Sequence, residues 1–398
     1  MVEVPDLDFG PSARAVAAEA RAWLDAYAEV GLDFVDMGGL APKGAWVDLV
    51  REHRWLCLNW PTEVGGRGLS GLEAAAVDAE FRRAEVTRPR LGMGETLVGP
   101  AVIVHGSEEQ RAHFLPRILD GTDRYCQGFS EPDAGSDLAN VQTRGVVDGD
   151  ELVVSGQKVW TSWYWDATML FALVRTNPQA PKHDGISYVL VPLQRDEDFR
   201  PTNGIELRPL RQISGEAHFA ETFLDGARAP LFNVIGGLDN GWKVSKTTLG
   251  NERGGSAATQ YLRFETALHR LIERVQREGK ADDPVLRQRL AWAHTHVQLI
   301  RYGGLRTLAS LVDRGDPGPS ASISKMLWSE YDREFGELAM DVLGADALTF
   351  GDNDGYQPTR WHTQFFGSRS STIWGGTAEI QRNIVAERVL GLPREPSV

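Results

Sequence analysis

The chain has 398 residues, which at roughly 150 residues per domain predicts two or three domains. Its 42 lysines and arginines against 55 aspartates and glutamates leave a formal net charge of −13, which disfavours a surface built to neutralise nucleic-acid phosphates or anionic lipid. The two cysteines, Cys57 and Cys126, are too few for a disulfide framework or a thiolate zinc site. The composition therefore excludes a disulfide-stapled miniprotein and fits a reducing compartment.

The first ten residues do not have the pattern of a secretory signal. They are acidic, whereas a signal peptide is first basic and then apolar, and no apolar run reaches the roughly 18 residues of a membrane span. The nine histidines include no set with a third ligand at metal-binding spacing. We therefore expect a soluble, cytoplasmic protein with no membrane span, no nucleic-acid partner and no metal site.

Helical periodicity dominates the first part of the chain. From Pro11 to about Gly121 apolar residues recur three and four positions apart, which is typical of amphipathic helices. Glycine and proline breakers cut this region into about five helices. We expect an α-helical N-terminal domain over residues 1–121.

The middle of the chain has the pattern of β-strands. Val146–Val147 and Leu152–Val154 flank Asp148–Gly149, and this predicts a hairpin because Asp-Gly readily supplies the positive φ angles of a tight turn. Further runs rich in valine, isoleucine and aromatic residues predict strands at 170–174, 186–191, 205–210 and 221–224. We expect a central β-sheet or β-barrel domain over residues 122–235.

The helical period returns after residue 236. One face of a long helix carries the apolar residues between Leu262 and Val275. Further helices are expected at 285–313, 320–343 and 377–390. The predicted fold class is therefore α+β and multidomain: an α-helical domain, a β domain, and a C-terminal α domain over residues 236–398 that resembles a four-helix bundle.

Three segments carry motifs that point to a function. They are Gln127–Asp137 (QGFSEPDAGSD), Lys158–Ser162 (KVWTS) and Ile373–Arg382 (IWGGTAEIQR). Together they resemble the acyl-CoA dehydrogenase family of flavoproteins, whose subunits have an α domain, a β domain and a second α domain in this order. The resemblance covers nearly the whole chain.

By this resemblance, FAD contacts Gln127, Phe129, Ser130, Trp160 and Ser162. The residue types suit a flavin, which needs a flat apolar wall for its ring system and a few hydrogen-bond donors for its polar edge. In a chain with 12 tryptophans, Trp160 alone would more simply be a core aromatic residue. Its place between Lys158 and Ser162 matches the family pattern, and this resemblance favours the flavin contact.

The resemblance also implies contacts in the C-terminal part. Further FAD contacts would be Arg277, Gly344, Thr377 and Glu379, and substrate contacts would be Ser136, Trp374 and Gly376. A simpler interpretation of the third motif is a tight turn in which Thr377 caps the final helix, and the two interpretations are compatible.

Two positions depart from the family pattern. In many members a phenylalanine lies three residues after the arginine that matches Arg277, and this chain has no phenylalanine there. Where those members have a pair of glycines, this chain has Gly344-Ala345-Asp346. A carboxylate is unfavourable beside phosphate groups. These departures leave open whether the chain forms a homotetramer or an α2β2 heterotetramer in which a partner chain completes the cofactor site.

The family's reaction needs a carboxylate to remove the proton α to a thioester carbonyl. In many members it directly precedes the Gly-Thr of the last loop, but the matching residue here is Gly375. Another branch, which includes enzymes for long-chain and branched acyl groups, carries the glutamate in a Glu-Arg pair on the first long helix of the C-terminal domain. The pair here is Glu252-Arg253. The resemblance thus implies Glu252 as base, Arg253 as its neighbour, and the Gly375 backbone N–H as a donor to the enolate oxygen.

The implied activity is FAD-dependent dehydrogenation of an acyl-CoA, with electrons passed to an electron-transfer flavoprotein. Two other functions remain open from the sequence. One is a flavin monooxygenase or oxidase on the same fold, which would not need Glu252 as base. The other is a subunit of a two-component enzyme, including a non-catalytic partner subunit. The acyl group, whether straight, branched or ring-bearing, is not predicted.

Overall fold

The computed structural model describes residues 10–34, 43–254, 260–314, 318, 320–350, 356 and 358–394, with the backbone alone at 251–254, 311–314 and 320. Contacts within the chain divide it into two compact units. Unit 1 comprises Met1–Leu210 and His218–Asn251, and unit 2 comprises Arg211–Ala217 and Glu252–Val398. The predicted domain boundaries after residues 121 and 235 stay predictions.

Unit 1 begins with helices, as its apolar periodicity predicts. Its α-helices before the sheet are α1 (Pro11–Tyr27), α2 (Ala45–Glu52), α3 (Gly71–Arg83), α4 (Gly99–His105) and α5 (Glu108–Leu119). The serine side chains of Ser70 and Ser107 cap α3 and α5 in reciprocal capping boxes. On α1 the buried stripe includes Val16, Ala20 and Trp23, which pack in the same core as the other four helices.

The rest of unit 1 is built on one mixed sheet. Its strands are β1 (Tyr125–Gly128), β2 (Arg144–Asp148), β3 (Glu151–Ser162), β4 (Met169–Arg175), β5 (Ile186–Pro192), β6 (Ile205–Leu210), β7 (Phe219–Pro230) and β8 (Val234–Ile235). The strand order is β6-β7-β3-β2-β4-β5-β8, and β1 pairs in parallel with β4. The order of helices and then strands agrees with the predicted one.

The predicted hairpin is present, but its turn lies one residue later than expected. Asp148 is the last residue of β2 and pairs with Glu151 on β3. The turn residues are Gly149, whose φ is +65°, and Asp150. Glycine thus takes the first turn position, where a positive φ is needed.

Both faces of the sheet are buried, which is clearest at β4. Leu170 and Val174 face one core cluster, whereas Phe171 and Leu173 face the other, which also contains the helices of unit 1. A strand covered on both sides has no polar face, so it has a continuous apolar sequence instead of an alternating one.

The C-terminal part is helical. The helices are α6 (Gly241–Gly254), which contains the last residues of unit 1, and then α7 (Gln260–Arg277), α8 (Pro284–Arg314), α9 (Ser320–Leu343), α10 (Arg360–Ser371) and α11 (Ala378–Ile384). In unit 2, α9 packs against α7, α8 and α10 around a core that includes Phe264, Leu268 and Phe335. The order helical, sheet and helical confirms the predicted fold class.

Two details of this region differ from the predictions. α10 was not expected, and the helix predicted at 377–390 is α11 followed by a π-helical turn at Val385–Val389. In the described part of the chain, no helix combines the length and apolar composition that crossing a bilayer requires.

Candidate functional site

The first motif starts on β1 and continues into a turn. Gln127 and Ser130 are half-buried and Ser136 is exposed. The Phe129 side chain is 4% exposed, and its ring packs edge-on against Phe171 with 5.4 Å between centroids. The Phe129 ring therefore belongs to the core and cannot form the aromatic wall expected from the sequence. Only its backbone remains available for a cofactor contact.

A buried ion pair joins the first motif to the second. Lys158 Nζ, fully buried, donates to Glu131 Oε1 at 2.7 Å and to the Leu173 carbonyl oxygen at 2.7 Å. The Glu131 carboxylate also accepts from the backbone N–H groups of Gln142 at 2.6 Å and Thr143 at 2.9 Å. These contacts tie the turn after β1 to the middle of β3.

The ionisation of this pair follows from its burial. Burial lowers the pKa of Lys158 to about 8, although the charge of Glu131 opposes the shift. Burial acts to raise the pKa of Glu131, but the Lys158 charge and the hydrogen bonds outweigh it and leave that pKa below its usual value. Both groups are therefore charged near neutral pH. Lys158 is part of the scaffold and is not exposed to a ligand.

Trp160 lies at an irregularity of β3. The pairing register with β7 shifts between Lys158 and Thr161, and the Trp160 φ is +62°, a value that bulky residues rarely adopt. Thr161 buries its hydroxyl against Thr222 at 2.8 Å, while the Trp160 side chain remains 58% exposed and meets Phe219 edge-on. A strained backbone that presents a large aromatic ring at the surface is typical of a binding site.

The residues that follow extend this aromatic surface. Ser162 is half-buried, and its hydroxyl donates to the Trp160 carbonyl oxygen at 3.4 Å. Trp163 has a φ of +63°, and its ring centroid lies 5.2 Å from that of Trp165. Unit 1 therefore presents three tryptophan rings and a short hydroxyl group within six residues of β3 and its following loop.

The third motif forms the turn between α10 and α11. Gly375 and Gly376 have φ values of +65° and +93°, which favour glycine, and a Cβ on Gly376 would lie 2.4 Å from Gln381 Nε2. Thr377 caps α11, because its hydroxyl accepts from the Ile380 N–H at 3.3 Å. The tight turn and the threonine cap inferred from the sequence are therefore present.

Among the described residues, the backbone N–H of Gly375 in this turn has no hydrogen-bond partner. The Gly375 carbonyl accepts from Gln381 Nε2 at 3.1 Å, but across the described ranges its N–H meets no hydrogen-bond acceptor. Gly375 is half-buried, and Trp374 beside it is 47% exposed. Most backbone donors away from water are paired, so an open one on a rigid turn is suited to an acceptor atom of a ligand.

The other predicted residues of the C-terminal part are dispersed along the helices. Glu252 and Arg253 are in the last turn of α6, and their side chains lie outside the described residues. Arg277 is the exposed last residue of α7, and Gly344, with a φ of +58°, directly follows α9. Glu379 is exposed in the first turn of α11.

Asp346 has a counter-ion that the sequence did not reveal. Its Oδ2 lies 2.8 Å from Arg274 Nη2, and Arg274 Nε lies 2.6 Å from Glu278 Oε1. The Asp346 carboxylate, which follows the interrupted glycine pair, is thus paired with an arginine of its own chain.

The predicted residues form two groups, one in each unit. Unit 1 holds Gln127, Phe129, Ser130, Ser136, Trp160 and Ser162, and unit 2 holds Glu252, Arg253, Arg277, Gly344, Trp374, Gly375, Gly376, Thr377 and Glu379. Sequence reasoning missed the residues that support each group, above all Glu131, which binds Lys158, Gln381, which binds the Gly375 carbonyl, and Lys325, which binds the Ser371 carbonyl at the end of α10. Within the described residues, no three histidine, cysteine, aspartate or glutamate side chains are grouped as metal ligands would be.

Three domain models of one family match the chain in succession. They are "Acyl-CoA dehydrogenase, N-terminal domain" at residues 10–122, "middle domain" at 126–225 and "C-terminal domain" at 239–390. Among relatives, acyl-CoA dehydrogenase IpdE1 of Mycobacterium tuberculosis (strain ATCC 25618 / H37Rv) is 41% identical over 388 residues, which cover 95% of this chain and 97% of the relative.

Solved structures are also similar to this chain over nearly its full length. The Tcur3481-Tcur3483 steroid ACAD superposes with a TM-score of 0.79 at 28% identity, over 98% of this chain and 100% of that chain. The ChsE4-ChsE5 complex from Mycobacterium tuberculosis superposes with a TM-score of 0.76 at 28% identity, over 98% and 100%.

Proposed function

Since the chain belongs to the acyl-CoA dehydrogenase family, whose members are flavoproteins, we propose that it uses FAD to oxidise an acyl-CoA thioester between its α and β carbons. The observation that carries the proposal is the open N–H of Gly375, on a turn where many members of the family carry their catalytic carboxylate. That turn retains the donor and lacks the base, so the base must come from another position.

The residues of unit 1 fit a flavin. Trp160 presents an exposed ring for the flat ring system, and Gln127, Ser130 and Ser162 supply amide and hydroxyl groups beside it. Phe129 would contribute through its backbone. FAD, when bound, accepts the two electrons that leave the substrate as a hydride.

Unit 2 would hold the remaining FAD contacts. They are Arg277, Gly344, Thr377 and Glu379. Thr377 is the N-cap of α11, and Arg277 is exposed and free to move toward a phosphate group.

In the proposed mechanism, Glu252 takes the α proton of the substrate. A carboxylate with an ordinary pKa is a weak base, so its pKa must rise, and burial beneath the bound acyl chain would raise it. Arg253 would orient Glu252 and balance its charge. The Gly375 N–H would donate to the thioester oxygen as negative charge develops there. Substrate binding would use Ser136, Trp374 and Gly376.

For the substrate we propose a ring-bearing acyl group. Glycine in place of a carboxylate at position 375 leaves room near the reacting carbons, and one of the similar solved structures is a steroid ACAD. The exposed aromatic rings near the first two motifs are apolar surfaces of the kind that flat ring systems contact.

For the assembly we propose an α2β2 heterotetramer in place of a homotetramer. The missing phenylalanine after Arg277 weakens a cofactor site between identical chains, and the ChsE4-ChsE5 structure is of a complex. An electron-transfer flavoprotein as the electron acceptor and a cytoplasmic location complete the proposal.

Anaerobic titration of the purified protein, with its partner chain if it assembles with one, with acyl-CoA thioesters tests this function. We expect a ring-bearing acyl-CoA to bleach the bound flavin, and the reduced flavin to be reoxidised by an electron-transfer flavoprotein faster than by O₂. Turnover that consumes O₂ stoichiometrically would contradict the dehydrogenase and favour an oxidase. Full flavin occupancy of the chain purified alone, as a homotetramer, would contradict the two-component assembly and leave the reaction unaffected.

A further inference from the structure

Helix α9 carries two charged residues on its buried face. The stripe that faces the core of unit 2 runs through Ala321, Lys325, Trp328, Asp332, Phe335 and Ala339, at alternating spacings of four and three. The side chains of Lys325 and Asp332 are about as buried as the apolar members, since the residues are 5% and 3% exposed. Burial of charge is costly, so both need strong compensation.

Lys325 is compensated by the end of α10 and by two aromatic rings. Its ammonium group donates to the carbonyl oxygen of Ser371, the last residue of α10. It also lies 4.6 Å from the ring centroid of Trp328 and 5.0 Å from that of Trp374. A cation at a helix C-terminus is favoured by the helix dipole, and both rings are within the range of cation–π attraction.

Asp332 binds the same serine, Ser371, through the hydroxyl group of its side chain. The Ser371 hydroxyl donates to Asp332 Oδ2 at 2.6 Å, and Gln364 Nε2, also on α10, donates to Asp332 Oδ1 at 2.5 Å. Arg263 Nη2 lies 3.4 Å from Asp332 Oδ2. Ser371, which is 3% exposed, is therefore bound through its carbonyl by a cation and through its hydroxyl by an anion.

The turn that presents Gly375 begins at this point. The backbone N–H groups of Ile373 and Trp374 both donate to the Ser370 carbonyl, at 2.8 Å and 3.1 Å, so the turn is built directly on the end of α10. The Trp374 ring, tilted by 42° to the Trp328 ring with 5.2 Å between centroids, shares Lys325 with it. Displacement of Ser371 or Trp374 would therefore displace the Gly375 N–H.

We propose that Lys325 and Asp332 are positioning residues, which clamp Ser371 and Trp374 so that the Gly375 N–H points at the thioester oxygen of the substrate. This inference rests on the proposed function. It extends that function by assigning the alignment of the oxyanion donor to two buried charges on α9, neither of which needs to touch the substrate.

The test separates enolate formation from hydride transfer. A 3-thiaacyl-CoA has an acidic α proton but carries sulfur in place of the β carbon, so it can form an enolate and has no hydride to give. Its bound enolate beside oxidised flavin is followed by charge-transfer absorbance against pH. The proteins are the holoenzyme, with its partner chain if it assembles with one, and the variants Lys325→Met, Asp332→Asn and Ser371→Ala.

For Lys325→Met we expect the pKa of the bound ligand to rise by about one unit, because the enolate loses an aligned donor. With a true substrate, kcat should fall at least about tenfold while KM changes less than about threefold. Flavin content should be unchanged. The matched control is Arg289→Met, which removes another cation tied to α9, through its 2.6 Å pair with Asp341, and should change neither quantity.

The measured ligand pKa and kcat of these variants either support or contradict the positioning role of Lys325 and Asp332. A folded Lys325→Met or Asp332→Asn protein with wild-type ligand pKa and kcat would overturn the inference. Should both fail to fold, Ser371→Ala, which keeps the backbone carbonyl bound by Lys325, must still raise the ligand pKa and lower kcat. An unchanged Ser371→Ala protein would refute the clamp. A wild-type protein that neither forms the enolate nor bleaches with any acyl-CoA would instead refute the proposed function.

Discussion

Replacement of Lys158 by methionine tests the scaffold beneath the proposed flavin surface. Methionine has a similar length and no charge, so the substitution leaves the Glu131 carboxylate, 7% exposed, without its cation. It also removes the donor that Nζ gives to the carbonyl oxygens of Leu173 at 2.7 Å and Phe129 at 3.3 Å. Because the backbone N–H groups of two other residues still bind Glu131, the carboxylate would remain charged and buried.

The expected loss of stability in Lys158→Met is large. Removal of one partner of a buried ion pair costs about 3–5 kcal/mol, since the remaining charge is left uncompensated. In a unit the size of unit 1, about 1 kcal/mol shifts the melting temperature by roughly 2–4 °C. Lys158→Met should therefore lower the melting temperature of unit 1 by roughly 10 °C. Because Trp160 lies two residues further along β3, flavin occupancy should fall as well.

Thermal unfolding followed by circular dichroism, with the bound flavin quantified by absorbance, measures both effects. Lys246→Met, at an exposed lysine of α6, is the matched control and should melt with the wild type. The double variant Glu131→Gln with Lys158→Met should be less destabilised than the sum of the single variants, because the two residues interact directly. A Lys158→Met protein that melts within about 2 °C of the wild type and keeps its flavin would refute this account of the pair.

Three further predictions concern unit 1. Burial alone would raise the pKa of Asp78, but Arg88 and other arginines lower it to about 2. The ionised carboxylate therefore adds about 2.5 kcal/mol to the free energy of unfolding at neutral pH, and this stabilisation is lost as the pH falls from about 4 to 2. Urea unfolding should show Asp78→Asn less stable than the wild type at pH 7 and nearly equal at pH 2, while Asp282→Asn, at an exposed position, shows no such trend. Burial raises the pKa of the Cys126 thiol to about 12, so a thiol reagent at pH 8 should label it only after unfolding; rapid labelling of the native protein would contradict its burial. Trp160→Leu should lower flavin affinity at least about tenfold with stability unchanged within about 0.5 kcal/mol, because the ring is mostly exposed; retained affinity would remove Trp160 from the site.

The parts of the fold that follow from sequence are those with one dominant pattern. The bounds of α9 were predicted to the residue, since its apolar stripe is regular over 24 residues. α10 was missed because Gly367 and the serines at 368, 370 and 371 are poor helix formers and give it little amphipathic pattern. Its stability comes from packing against α9, which a local pattern does not contain.

The site was predictable in part. The residue types of the three motifs suffice to indicate the family, and Thr377 has the cap role that its sequence setting favours. The exposure of Trp160 depends on a φ of +62° at a bulge, and the burial of Phe129 depends on tertiary packing, so neither follows from sequence alone. Lys325 and Asp332 did leave a signal, because they are charges at core positions of an otherwise apolar stripe.

In the proposed reaction, Glu252 removes the α proton while the Gly375 N–H donates to the thioester oxygen. Anaerobic rapid mixing of Glu252→Gln holoenzyme with an acyl-CoA that bleaches the wild-type flavin measures the contribution of this carboxylate. We expect normal flavin content and ligand binding, with bleaching slowed at least about a hundredfold, the contribution typical of a general base. Bleaching at the wild-type rate in this variant would show that Glu252 is not the base.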